Sequence, residues 1–281
     1  MRIALVSDTH IAARARAFTT NWHIAARLIE AERPDLIIHL GDITVDGAGD
    51  PAEHGQALEA MQALSAPRLA VPGNHDLGDN PPHPGAHVAS PVTPARLAAW
   101  AAAFGPDHWV TELAGFRLIG LNAQLFGTGL DAEASQIAWL AATLAAARGP
   151  VGLFLHKPLF RDRPGDDEAH VRYVPAAPRA RLIELLAGVD LRFVISGHAH
   201  QARRLVAGDV EHLWMPSTAF IIPDHIQERI GEKRVGWAML TLDNGHHRLD
   251  FRHPATLPEN DLLDHDDAYP AVRALRRSTP A

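Results

Sequence analysis

Eight side chains able to bind a metal or move a proton stand at the ends of short apolar runs: Asp8, His10, Asp42, Asn74, His75, His156, His198 and His200. The runs before them read as strands over residues 2–6, 35–40, 68–71, 151–155 and 191–195. In an α/β sheet such ends open on a common crevice, so donors far apart in the chain converge there. Asp8-Thr9-His10 and His198-Ala199-His200 each place two donors at i and i+2, positions that share one side of an extended backbone. Asp42 has two carboxylate oxygens and can bridge two cations. Asn74 offers a neutral amide oxygen, and His75 can donate a proton from outside the ligand set. Asp76 can orient that imidazole or bind backbone amides in the tight loop. Taken singly, each has an ordinary explanation: Asp42 as a helix cap, Asn74 as a turn residue, His156 as a packed histidine. Their joint placement at five strand ends points to a two-ion metal centre.

The elements needed to hold these ends are visible as periodicity. A helical pattern over residues 20–32 separates the first two strands, and another over 53–64 precedes the third, an opening of β-α-β type. Residues 80–94 are rich in proline and should run irregularly over the surface. Thr93-Pro94 suits a helix start, with the helix continuing to Ala103. Residues 109–113 and 116–121 flank Ala114-Gly115 as a hairpin. Asp131 is expected to cap a helix stopped by Gly149-Pro150, and a further helix spans 178–186. Strands are expected at 203–206, 210–215, 235–242 and 247–251, adding a second sheet against the first.

The chain has 281 residues, 47% of them apolar, enough to bury a substantial core. No apolar run approaches the ~18 residues of a membrane span, and Met1 to Val6 leads directly into Ser7-Asp8. Neither membrane insertion nor a signal peptide is expected, and the cytoplasm is the expected location. The absence of Cys excludes disulfides, thiolate metal sites and Cys nucleophiles. A net charge of -7 leaves no broad positive field for extended nucleic acid. A small anion can still bind where metal ions supply the local charge.

On Ser7-Asp8-Thr9-His10, Gly41-Asp42, Gly73-Asn74-His75-Asp76, His156 and Gly197-His198-Ala199-His200, the sequence resembles the calcineurin-like metallophosphoesterases, over about residues 1–215. The stretch Gly41-Asp42-Ile43-Thr44-Val45-Asp46-Gly47 looks more like the cyclic-nucleotide-phosphodiesterase branch than the large serine/threonine phosphatases. The resemblance implies a two-sheet α/β/β/α sandwich over residues 1–253, with 254–281 as an extension that is either a flexible end or a homo-oligomer contact. It implies one ion held by Asp8, His10, Asp42 and His200 and a second held by Asp42, Asn74, His156 and His198. His75 would sit beside the leaving group with Asp76 as its support. Mn, Fe, Zn and Co, as divalent or mixed-valence pairs, all suit such N/O donors. The implied activity is hydrolysis of small phosphate diesters, 3′,5′-cyclic nucleotides among them, by attack of a metal-bound hydroxide. Phosphomonoester hydrolysis and a non-catalytic, metal-dependent binding or scaffold role are the alternatives. The substrate wall is expected from residues 80–92, Phe126, 160–174 and 216–231. Arg161 and Arg163 are candidates for a phosphate contact, and His39 is either a support of the site or a core residue.

Overall fold

The structure, a computed structural model, describes residues 1–167 and 169–278. In β1 (Arg2–Val6) alternate side chains leave on opposite faces: Ile3 and Leu5 enter one buried cluster, Ala4 and Val6 another. A strand buried on both faces needs cover on both sides. α1 (Arg16–Glu32) covers one, presenting Trp22, Ala25, Ala26 and Ile29 at helical spacing to Ala4 and Val6. β2 (Leu36–His39) lies parallel to β1, and after α2 (Ala52–Met61), β3 (Arg68–Ala70) lies parallel to β2. α3 (Asn74–Leu77) is a single turn, and an irregular stretch leads to α4 (Pro94–Phe104), where the Thr93 side chain accepts from Arg96 N at 3.3 Å.

β4 (Trp109–Leu113) and β5 (Phe116–Leu121) form the expected hairpin, with Ala114 and Gly115 both at positive φ. α5 (Asp131–Ala145), β6 (Val151–Leu155), α6 (Ala176–Leu186), β7 (Leu191–Ser196), β8 (Arg203–Ala207) and β9 (Val210–Trp214) follow. These strands make a six-stranded sheet in the order β4-β5-β6-β7-β9-β8. After the short β10 (Phe220–Ile221), β11 (Trp237–Asp243) and β12 (His246–Arg252) return to the first sheet, whose order is β12-β11-β1-β2-β3. Alternation identifies a strand and its inward face, but not the edge it joins. The last long strands were therefore expected in a second sheet, yet they complete the first.

Ile3, Leu5, Ile38, Phe154, Phe193 and Ile195 fill the space between the sheets. Ile137, Leu140 and Leu182 from α5 and α6 cover the outer face of the second, each such burial contributing roughly 1.5–3 kcal/mol. The architecture is the α/β/β/α sandwich. Several helix starts differ from expectation, α2 at Ala52 and α6 at Ala176 among them. α1 begins at Arg16, and Asp131 is the first helical residue of α5 with Leu130 before it as the cap. The preceding loop is tied by Glu133, which accepts from Gly127 N at 2.7 Å and Gly129 N at 2.9 Å. Beyond residue 253, β13 (Asn260–Asp261) pairs in parallel with β10, and α7 (Val272–Ser278) follows, with Leu257, Ala268 and Val272 buried. Residues 279–281 of the expected extension lie outside the described residues.

Candidate metal centre

The loops after β1 and β2 run side by side. Asp8 N donates to Gly41 O at 3.0 Å, His10 N to Asp42 O at 3.1 Å and Ile11 N to Ile43 O at 2.7 Å. The donors do not share a side through extended backbone, as their i, i+2 spacing implied. Asp8, His10, Asp42, His198 and His200 all have left-handed φ, between 45° and 63°. Each such residue costs on the order of 1–3 kcal/mol and persists where the surroundings fix it, characteristically at functional sites. Here the left-handed turns aim the side chains inward.

All eight candidates meet. Asp8 Oδ1 lies 3.3 Å from His200 Nε2, which is 3.3 Å from His10 Nε2. His156 Nε2 lies 3.2 Å from Asp42 Oδ2, 3.3 Å from Asn74 Oδ1 and 3.0 Å from His198 Nδ1. Three donor groups have ligand atoms within 4.8 Å of one another: Asp8, His10 and His200; Asp42, His156 and His198; and His10, Asp42 and His75. Asp8 Oδ1 is buried without a hydrogen-bond partner, a costly arrangement for a carboxylate in the absence of a compensating cation. Converging imidazole nitrogens around such an oxygen fit a divalent ion.

The electrostatics fit as well. Burial, reinforced by the neighbouring His75, holds the His10 imidazole well below its ordinary pKa; burial and His156 do the same to His198. Neutral imidazoles are the form that binds metal. Burial works against the Asp42 charge, yet His156, His75 and His10 keep its pKa well below the carboxylate range. His156 is pushed up to about 9, because Asp42, with Asp8 and the Leu40 carbonyl, outweighs the effect of burial. A cation at Asp42 competes directly with that proton.

The surrounding residues resolve the alternatives left by the sequence. Asp76 does not support the His75 imidazole: Oδ2 accepts from Gly73 N at 2.8 Å, and Oδ1 from Thr44 N at 2.9 Å and Thr44 Oγ1 at 2.8 Å. Its carboxylate ties the third strand's loop to the second's. His75 Nδ1 instead donates to Val45 O at 2.7 Å, and His75 N to Asp42 Oδ1 at 2.9 Å. His39 is a support. Its Nδ1 accepts from Gly41 N at 3.2 Å, leaving Nε2–H to donate to Thr9 Oγ1 at 3.0 Å. Burial lowers its pKa to about 3, favouring the neutral ring this pattern needs.

A cleft of about 360 Å³ opens on His10, Asp42, His75, His198 and His200. Residues 170–172, Phe220, Ile222 and Gln227 line it within the expected stretches, while residues of 80–90 face Asn74 and His75 on another side. Phe126 and Phe160 belong to the buried core behind the second sheet. Arg161 pairs with Glu228 at 2.8 Å and Arg163 with Asp166 at 3.2 Å; among the described residues, the arginine lining the cleft is Arg172. Sequence reasoning missed Leu262, Tyr269 and Val272, which the C-terminal segment adds to the wall. A lone tyrosine in a polar tail carries no motif that would have flagged it.

Glycine lets the loops approach this closely. A Cβ on Gly73 would collide with Asp42 N and Oδ1, and one on Gly197 with Ser7 Oγ. Gly73→Ala is therefore expected to lower stability by about 1–3 kcal/mol. Displacement of Asp42 should also lower turnover on the order of tenfold or more. Denaturant unfolding and steady-state kinetics check the two effects; unchanged values in both would mean the loops can separate freely.

Carboxylates and imidazoles gathered at the strand ends of a two-sheet sandwich make a candidate centre for divalent metal ions. The profile of the calcineurin-like phosphoesterases matches residues 1–202, and the chain belongs to that family. A Synechococcus sp. protein named as a probable cyclic nucleotide phosphodiesterase is 26% identical over 251 residues, 86% of this chain and 88% of that one. The serine/threonine-protein phosphatase CPPED1 of Danio rerio is 28% identical over 60% of this chain, a match spanning 55% of that relative. In fold, the chain superposes on a dimetal phosphatase from Danio rerio with a TM-score of 0.62 at 16% identity, covering 90% of this chain and 96% of that one. Among the described residues, no helix is long and apolar enough to cross a membrane.

Proposed function

We propose that the protein is a two-metal phosphodiesterase acting on small diesters, with 3′,5′-cyclic nucleotides as the leading substrate class. The observation that carries this reading is the pair of donor groups on either side of Asp42, opening on a cleft of small-molecule size. One ion would be held by Asp8, His10, Asp42 and His200 and the other by Asp42, Asn74, His156 and His198, with Asp42 shared. Mn, Fe, Zn and Co suit the donors. When bound, the ions supply positive charge for the phosphoryl oxygens and bring a water toward hydroxide near neutral pH. The chain's own residues do the rest. His75, anchored through Nδ1–H on Val45 O, would in its imidazolium form pass the Nε2 proton to the departing oxygen. Arg172 and the half-buried Asn74, His75 and His198 face the entering ester.

The diester preference draws on the Synechococcus relative, matched over most of both chains. The CPPED1 match favours the second reading, a phosphomonoesterase. Metal-reconstituted protein is expected to hydrolyse bis(p-nitrophenyl) phosphate and 3′,5′-cyclic AMP with higher kcat/KM than p-nitrophenyl phosphate, and to lose activity on chelation. A reversed preference would establish the monoesterase. Stoichiometric metal with no turnover of any of the three would indicate a binding protein.

A further inference from the structure

A histidine that binds a cation through one ring nitrogen is aimed by the partner of its other nitrogen. His156 and His200 find that partner in core carbonyls, Leu40 O at 2.7 Å and Phe220 O at 3.3 Å. His10 differs. Its Nε2 faces His200 Nε2 at 3.3 Å, while its Nδ1 lies 2.6 Å from the phenolic oxygen of Tyr269, 259 residues along the chain.

The phenol is held firmly. Its ring stands edge-on to those of His10 and His75, with centroids 5.8 and 5.5 Å away, and packs against Phe220 at 5.9 Å. The segment that delivers it is anchored through backbone. Asn21 Nδ2 donates to Pro258 O at 2.8 Å, Asn260 Nδ2 donates to Ala219 O at 3.0 Å, and β13 pairs with β10. Ala268 and Val272 on either side of the tyrosine are buried.

We propose that Tyr269 is a positioning residue for the ion site built from Asp8, His10, Asp42 and His200. Its oxygen accepts from His10 Nδ1–H, which selects the tautomer with Nε2 free and turns that nitrogen toward the ion. The C-terminal segment thereby completes one half of the centre. The other half keeps its His156 aimed by Leu40 O. This inference rests on the metal-centre reading given under Proposed function.

Tyr269→Phe removes the oxygen and keeps the ring. Metal-free protein titrated with Zn2+ against a chromophoric chelator, with Co2+ absorption as a second readout, should show two sites in the unaltered chain. In the Phe variant one site should weaken about 10- to 100-fold, with an altered Co2+ spectrum, while the other site and the unfolding midpoint of the metal-free protein stay unchanged. Two sites of undiminished affinity in the variant would overturn the proposal. So would equal weakening of both sites with a lowered midpoint, which marks a packing role. An unaltered chain that binds fewer than two ions would instead sink the two-metal reading itself.

Discussion

Asp42→Asn is expected to weaken both ion sites and to empty the one shared with Asn74, His156 and His198, taking metal content below two ions per chain and lowering turnover at least about 10³-fold. The substitution is close to isosteric, so His75 N can keep its bond to the side-chain oxygen at Oδ1, 2.9 Å away in the native protein. What disappears is the charge. Asp42 is the carboxylate that His156, His75 and His10 hold ionised against burial, and the other carboxylate among the candidate ligands, Asp8, belongs to the His10 and His200 group. Without Asp42, the Asn74, His156 and His198 set is left with neutral donors alone, too little negative charge to dehydrate a divalent cation. Elemental analysis of dialysed protein, circular dichroism and hydrolysis of bis(p-nitrophenyl) phosphate together make the test. Two retained ions and near-native turnover in a folded variant would rule out a shared role for Asp42.

Much of this centre is readable from the chain alone, for a physical reason. Strands buried on both faces need nearly unbroken apolar sequence, so Ile3 to Val6 or Leu153 to Leu155 give way abruptly to the polar residues that follow. Asp8 and His156 stand out against that background. The means by which the donors converge does not stand out. Positive φ at Asp8, His10, Asp42, His198 and His200 depends on hydrogen bonds between loops, such as Asp8 N to Gly41 O, which no local propensity encodes. The same holds for Asp76, whose place in the motif fits either an imidazole partner or the loop tie it forms with Thr44 and Gly73. Tyr269 is the extreme case. Its contact with His10 spans almost the whole chain, and it follows from the pairing of β13 with β10, two strands of two residues each that leave no alternating pattern.

His75→Ala is expected to separate proton donation from ion binding, because the two roles respond differently to the leaving group. A p-nitrophenolate departs as a stable anion and gains little from a proton; an alkoxide or ribose oxygen gains much. Loss of the imidazole should therefore cost about 10²- to 10⁴-fold in kcat with a cyclic nucleotide or an alkyl diester, and within roughly tenfold with bis(p-nitrophenyl) phosphate. The backbone contribution survives the substitution, since it is His75 N that donates to Asp42 Oδ1. The competing role is a real one structurally: a nitrogen of His75 also falls within 4.8 Å of donor atoms on His10 and Asp42. A histidine acting as a ligand would, on removal, lower metal affinity and depress both classes of ester alike. A steepened dependence on leaving-group pKa with two ions still bound assigns His75 to the departing oxygen. A parallel fall with metal loss assigns it to an ion, and the proton must then come from solvent or from another group lining the cleft.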